Sequence, residues 1–427
     1  MIEAMLWILG AWFVALMAGV PLFASIGLAA YAFVLYAGIT PTIIPQKIAQ
    51  AANSFPILAA PLFILMGNIM NGAGITERIF AFATVCVGWL RGGLCHANIL
   101  ASVIFAGMSG SAVADAGGVG TLEIKAMRDE GYDAETAAAI TAASATIGPI
   151  IPPSLPMVIY GVSADVSIGA LFLAGVVPGL LVAAALMAMV SAIAKRRNMP
   201  RHAFPTARGV WVAFRRAFWA LMTPLVLFGG MMSGIFTPTE AAAVAAVYAL
   251  ILGLFVYRDF DLRTLPRICA DTAETTGVVL ALVMTAAALG WCLSMSRLPQ
   301  TAAPWLVETI ADPVWFLLFV VALLLVIGTF MEALAAMLIL IPVLVPAAAA
   351  HGIDPVHFGL VFVFTLMIGT VTPPVGVVLF VTARIAGISF AAMSRAILPW
   401  LVPLLLVLLA TALAPPLTTA LPRWLMG

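Results

Sequence analysis

Charge is the scarcest commodity in this chain. Only 9% of its 427 residues are Asp, Glu, Lys or Arg, while 64% are hydrophobic. Soluble domains carry about 25% charged residues, so a water-facing surface is excluded. Cysteine is also sparse: Cys86, Cys95, Cys269 and Cys292 show no metal-ligand spacing and no disulfide framework, and read as inert thiols in apolar context. The four histidines, His96, His202, His351 and His357, are scattered and form no metal cluster. A Walker loop, a Gly-rich dinucleotide turn and HExxH are all lacking, which removes support for ATP-driven and metallopeptidase readings. No cleavable leader is read at the start: Leu6 to Leu35 lacks a basic opening and runs beyond a signal core.

What is present is apolar sequence of membrane-spanning length, recurring from Leu6 to Leu408. At about 20 residues per crossing this predicts roughly ten to twelve spans, an all-α polytopic membrane protein whose outer surface faces lipid. Net charge is +1, but seven of the 19 basic residues fall within 195–216, with no acid among them. That segment is expected at the cytoplasmic face. Trp211, Phe214 and Phe218 beside Arg208, Arg215 and Arg216 fit a helix lying on the membrane surface. Lipid headgroups explain this basic patch better than nucleic acid does.

Two runs match at a fixed spacing, IGPIIPPS (147–154) and IGTVTPPVG (368–376). Gly148 pairs with Gly369, Pro152 with Pro373 and Pro153 with Pro374, all 221 residues apart. The same offset pairs Gly107 with Gly328, Gly131 with Gly352, Asp133 with Asp354 and Pro178 with Pro399. An earlier match, Pro21 with Pro238 and Tyr31 with Tyr248, has an offset of 217. Proline removes a donor and clashes with the preceding turn, so each run opens a helix. In hydrocarbon such an opening is tolerated only where protein or a watery cavity satisfies the freed groups. Broken helices at corresponding positions of two halves point to a transporter binding site. Whether the repeats are parallel or inverted is not decided by these matches.

Between Cys95 and Gly131 an apolar run (97–108) leads into SGSAVADAGG (109–118) and then a polar-ended helix (119–130). Neither arm crosses about 30 Å at 1.5 Å per residue, which predicts a re-entrant hairpin with a small polar tip. The counterpart tip is GTFMEA (328–333), between 315–327 and 334–349. Helix ends leave carbonyls and amides unpaired. Such carbonyls, with the hydroxyls of Ser109, Ser111 and Thr372, suit a small hard cation, and amides at helix N-termini suit a carboxylate. Close packing of small residues is the competing account of the tips.

Asp115, Asp165, Glu240, Glu332 and Arg384 lie within or beside apolar sequence, where ionisable groups are costly. Glu240 reads as a helix cap after Pro238. Asp165 and Arg384 fit helix ends as well as function, and Asp115 is the strongest functional candidate. Asn53, Asn68 and Asn71 flank a long apolar run; Asn68 and Asn71 share a helix face and are expected to bond between helices.

The motifs SGSAVADAGG, GPIIPPS, TPTEAAAVAAVYA (237–249), GTFMEA and TPPVG, in this order, resemble the large membrane subunit of tripartite ATP-independent periplasmic (TRAP) transporters over essentially the whole chain. The resemblance implies two inverted repeats with re-entrant hairpins and broken helices, and an elevator-type secondary transporter of the bacterial inner membrane rather than an enzyme. It implies Na⁺ as coupling ion, a small organic acid as substrate, and two partners, a small four-helix membrane subunit and a periplasmic substrate-binding protein. The first repeat would be 1–194, with scaffold helices over about 1–90 and hairpin and broken helix over about 95–178. The cytoplasmic linker would be 195–216. The second repeat would be 217–427, divided at about 217–310 and 315–399.

Carried over by motif, one Na⁺ site would use Ser109, Ser111, Gly148, Ile151 and Pro153. A second would use Gly328, Met331, Gly369, Thr372 and Pro374. Substrate would lie near Ser111, Asp115 and Ser154, with Arg384 meeting a carboxylate. Some relatives carry Asn after the second PPVG, where this chain has Val377-Val378, so the substrate itself is not carried over. Two other functions fit parts of the pattern: a stand-alone cation-coupled anion symporter, and an intramembrane enzyme using Asp115 or Asp165.

Overall fold

The structure is a computed structural model. It describes every residue except Ser54, Gly110, Ser111, Asn198, Phe260 and Gly427, and no side chain for Met17, Phe55, Pro56, Met108, Ser109, Ala114 or Met232. Among the described residues all regular structure is helical. The chain opens with α1 (Ile2–Met17), α2 (Leu22–Tyr36) and α3 (Ile43–Ala52). A pair bent by 71° follows, α4 (Ala59–Gly72) and α5 (Ile75–Val87). The first hairpin is α6 (Gly93–Ser109), α7 (Ala112–Gly117) and α8 (Val119–Asp129). The first broken helix is α9 (Ala134–Ala145) and α10 (Leu155–Ala164), and α11 (Ile168–Arg197) closes this half.

After the basic linker come α12 (Ala207–Met232), α13 (Pro238–Ile251) with a π-helical extension Leu252–Tyr257, α14 (Leu265–Ser296) and α15 (Leu298–Thr309). The second hairpin is α16 (Pro313–Phe330) and α17 (Ala333–Ala350); the second broken helix is α18 (Pro355–Gly369) and α19 (Val377–Ala386). Two helices finish the chain, α20 (Phe390–Leu413) and α21 (Pro416–Met426).

Local chemistry sets the starts of the paired elements. Before α9 and α18 the chain turns through a left-handed glycine, Gly131 at φ +85° and Gly352 at φ +70°. Two residues on, Asp133 accepts the Thr136 amide at 3.0 Å, and Asp354 accepts the amides of Val356 and His357 at 2.9 and 3.2 Å. Each such cap contributes about 1 kcal/mol. Glu240 does cap α13: its carboxylate takes the Thr237 amide while the Thr237 hydroxyl takes the Glu240 amide, a reciprocal box. Asn68 on α4 bonds across to Thr272 on α14 at 2.9 Å, as expected, whereas Asn71 is used locally by Thr76 across the bend.

The two equivalent turns lie at opposite ends of the molecule. Asp133 sits 3.6 Å from Arg197, the last residue of the 30-residue α11. Asp354 sits 3.4 Å from Arg423 on α21, and Met426, one turn further, approaches Gly169 at the start of α11. A helix of that length is about 45 Å long. The repeats are therefore inverted, and the hairpins enter from opposite faces. The base of the first is closed by the Leu94 amide donating to Tyr132 Oη, which in turn bonds Pro200 of the linker. The base of the second is closed by His351, stacked on Phe316 at 4.1 Å with Nε2 at 2.9 Å from the Ile310 carbonyl.

Two expectations change. Among the described residues, seven helices are by themselves long and apolar enough to cross a membrane, or eight with the bent pair, against ten to twelve spans read from hydropathy. The remaining apolar sequence forms shorter helices: α1, α2, α6 and α18, and the pieces α10 and α19, which are only 10 residues long. The aromatic and basic segment 208–218 is not a separate surface helix. It forms the first turns of α12, which continues without interruption to Met232 because the apolar sequence does.

The first hairpin packs on α9 and α19, the second on α18 and α10. At the second tip the backbones touch: a Cβ on Gly369 would lie 2.7 Å from the Gly328 Cα, so only glycine permits this approach. Gly369→Ala should lower stability by about 1–3 kcal/mol through overpacking, read as thermal unfolding of the purified chain. Gly277→Ala on α14, where a Cβ meets nothing within 4 Å, should be neutral or stabilising by up to about 1 kcal/mol. Equal stability of the two variants would refute the close approach.

Candidate functional site

Each break interrupts its helix near the level of the opposing hairpin tip. The first runs from Thr146 to Pro153 and the second from Thr370 to Gly376, and each holds a cis peptide between its paired prolines, Pro152-Pro153 and Pro373-Pro374. Proline cannot donate, and the turns leave carbonyls over. Among the described residues, nothing donates a backbone hydrogen bond to the carbonyls of Gly148, Ile151, Pro153, Thr372 or Pro374. Most of these residues are buried or half-buried. Unspent carbonyls of this kind are oxygen ligands of the type a hard cation requires.

The second break is tied to its tip. The Gly376 amide donates to the Thr329 carbonyl at 3.0 Å, and Gly328 lies against Gly369. Gly328, Met331, Gly369 and Thr372 thus share one region, with Met331 extended at the point where α16 gives way to α17. The Thr372 hydroxyl donates to Ile368 at 2.7 Å, leaving its oxygen lone pairs available. Glu332 is spent as the N-cap of α17, accepting the Ala335 amide at 3.1 Å.

At the first break, Asp115 of α7 lies directly against Gly148, where any Cβ would strike its Oδ2. Ser111 falls outside the described residues, as does the side chain of Ser109. Ser154 is fully buried and caps α10: its hydroxyl accepts the Met157 amide at 3.3 Å and donates to the Pro149 carbonyl. By contrast α19 follows Gly376 with no side-chain cap, and the backbone serves instead: Val378 donates to the Thr370 carbonyl at 3.2 Å and Leu379 to the Gly376 carbonyl at 2.8 Å.

Arg384 is not brought to the breaks. It is exposed in the last turn of α19, about 10 Å along that helix from Val377. That end faces the linker side, because Arg128 of α8 donates to the Ala386 carbonyl beside it at 3.0 Å. Asp165 caps α10 in a left-handed conformation (φ 55°), about 15 Å from the first break and on the opposite face from Arg384. Asp115 and Asp165 therefore do not form a facing pair.

A buried polar network escaped the sequence reading. Asn98 of α6 donates to Glu123 of α8 at 2.6 Å and to Thr141 of α9 at 2.8 Å, and accepts from Ser144. It pins both arms of the first hairpin to the first broken helix. Its members lie 25 to 46 residues apart, so no local motif announces them; the only sequence signal was polar residues inside apolar runs.

A cleft of about 590 Å³ separates the hairpin and broken-helix elements from the remaining helices. Val162 and Asp165 after α10, with Pro342 and Pro346 of α17, form one wall; Gly290 and Ser294 of α14 and Gln300 of α15 form the other. It lies toward the face opposite the basic linker, where α10 ends and α11 begins.

Comparison with known proteins gives this architecture a family. The profile described as "Tripartite ATP-independent periplasmic transporter, DctM component" matches residues 9–417. The chain is 46% identical to the sialic acid TRAP transporter large permease protein SiaM of Vibrio cholerae, over 97% of this chain and 98% of that one. It is 40% identical to the C4-dicarboxylate TRAP transporter large permease protein DctM of Pseudomonas aeruginosa, over 89% of each. The isethionate TRAP transporter permease protein DctMQ of Oleidesulfovibrio alaskensis is 42% identical over 96% of this chain, which spans 65% of that longer protein. Among solved structures, the Alcanivorax borkumensis YdaH transporter shares the fold, with a TM-score of 0.67 at 17% identity over 90% of this chain and 88% of that one. Inverted repeats, opposed hairpins and a match over nearly the full length lead to one assignment: the chain belongs to the DctM family of tripartite ATP-independent periplasmic transporters, as a large permease protein that crosses the membrane many times.

Proposed function

We propose that this permease carries a small organic acid into the cell by Na⁺ symport, receiving it from a periplasmic binding protein. The observation that carries the reading is the doubled site, two helix breaks with unspent carbonyls, each facing a hairpin tip from the opposite side of the membrane. One Na⁺ is assigned to Ser109, Ser111, Gly148, Ile151 and Pro153, the other to Gly328, Met331, Gly369, Thr372 and Pro374. Bound cations beside the N-terminal end of α19 favour a carboxylate nearby. The acid is placed near Ser111, Asp115 and Ser154, and Arg384 offers a cation at the linker-side end of the same broken helix.

Relatives named for sialic acid, C4-dicarboxylates and isethionate make an organic acid the common denominator. The longer DctMQ relative supports a second membrane subunit working beside this one, since the chain accounts for 65% of its length. The cleft toward the face opposite the linker gives a binding protein a place to deliver substrate. Access then alternates as hairpins and broken helices move as a block against the helices beyond that cleft. An enzymatic reading gains nothing from the structure, because Asp115 and Asp165 stand apart.

Two measurements test this. Thermal unfolding of the purified chain should rise in Na⁺ relative to K⁺ at equal ionic strength, by about 2.7 kcal/mol at a hundredfold excess over Kd. The shift should shrink by one site's contribution in Ser109→Ala/Ser111→Ala, which leaves the second site intact; identical curves in both salts would refute a preformed sodium site. Proteoliposomes holding this chain and its small partner should take up acid only with an inward Na⁺ gradient and the binding protein. Full uptake without that protein would instead favour the stand-alone symporter.

A further inference from the structure

One large concave surface plays no part in transport as described. It is a groove of about 1,470 Å³ between α5, the start of α12 and the end of the π-helical extension. Its position is cytoplasmic: α12 leaves the basic linker here, and Arg78 of α5 reaches Asp259 just beyond the extension.

The two walls differ in chemistry. On α12, Arg208, Arg215 and Arg216 are all exposed, and none has a hydrogen-bond or ion-pair partner among the described residues. Arg208 and Arg215 are two turns apart, so they project along one face with about 10 Å between their backbones. On the other side Arg78 is already committed, 2.6 Å from Asp259 and stacked 4.2 Å over the Tyr257 ring. Glu77 is the other acid in the groove, so cations exceed anions there by two, from Arg78, Arg208, Arg215 and Arg216 against Glu77 and Asp259. Phe82 and Val85 of α5, with Val212 of α12, give the same groove an apolar floor. Trp211 and Trp219, 59% and 47% exposed, bracket Arg215 and Arg216 on the outer side.

Unpaired guanidinium groups, an apolar floor and flanking tryptophans are together complementary to one kind of molecule. We propose that the groove is a binding site for one anionic phospholipid of the cytoplasmic leaflet, its phosphate held by Arg208, Arg215 and Arg216 and its acyl chains laid along Phe82 and Val85. Guanidinium groups bind phosphate through paired, charge-assisted hydrogen bonds, and basic pockets between helices on the cytoplasmic side are where anionic headgroups lodge. A soluble anion would use the arginines but not the floor. A zwitterionic lipid would use the floor but bring an ammonium into an excess of cations.

Native mass spectrometry of the purified full chain in detergent tests this. Phosphatidylglycerol or cardiolipin should add as one retained lipid, saturably, with phosphatidylethanolamine and inorganic phosphate bound much more weakly. Arg208→Gln/Arg215→Gln/Arg216→Gln should weaken the anionic lipid about tenfold or more, the loss of one or two charge-assisted contacts. Arg263→Gln/Arg395→Gln, which removes two exposed arginines outside the groove, should bind as the parent does. If the triple variant does not fold, Arg215→Gln alone is read in the same way, with a several-fold loss expected. Unchanged lipid affinity in the groove variants, or equal binding of phosphatidylethanolamine or inorganic phosphate, would overturn the proposal.

Discussion

A carbonyl in hydrocarbon has no water to turn to, and most of this architecture follows from that constraint. Paired prolines open α9–α10 and α18–α19 in the middle of the apolar layer. The carbonyls released there must be enclosed by protein, and they are enclosed by re-entrant hairpins. Because each hairpin starts and ends on one face, its base needs closing and its tip needs room. Tyr132 and the His351–Phe316 stack close the two bases. Glycine at 328 and 369 makes room at one tip, and glycine at 148 makes room for Asp115 at the other. The proposed cation sites would then arise from the same device that keeps the broken helices tolerable.

The halves share a backbone but not an interior. Positions equivalent to Asn98, Glu123, Thr141 and Ser144 are Phe319, Leu344, Phe362 and Thr365. Hydrogen bonds thus fasten the first hairpin to its broken helix, whereas Phe362, at the position of Thr141, packs against Tyr160 of the first broken helix at 5.6 Å. Buried hydrogen bonds fix orientation more narrowly than apolar packing does.

Much of this was readable in the amino-acid order because glycine, proline and aspartate answer to the backbone. Of the pairs at a spacing of 221, Gly131 and Gly352 proved to be left-handed turns, Asp133 and Asp354 helix caps, and the paired prolines breaks, whereas Pro178 and Pro399 lie inside the helices α11 and α20; Glu240 proved to be a cap. Handedness of the repeat was not readable, since it depends on which face Arg197 and Arg423 occupy. Hydropathy reads more spans than there are long apolar helices among the described residues, because it registers apolar length and not where a helix ends or breaks. The aromatic and basic start of α12 looked like a surface helix because its first three turns have interfacial composition, while the continuation that makes it a long helix lies further on. The Asn98 network was invisible for a different reason: its partners meet only after three helices have packed.

The central claim is that both breaks bind Na⁺. Amide hydrogen exchange of the purified chain, in Na⁺ and then in K⁺ at equal ionic strength, tests it most directly. The account predicts slower exchange in Na⁺ at 147–154 and at 368–376, together with the two facing tips, and no change in α2 or α13. Indistinguishable exchange at both breaks in the two salts, or protection spread evenly over the molecule, would contradict it.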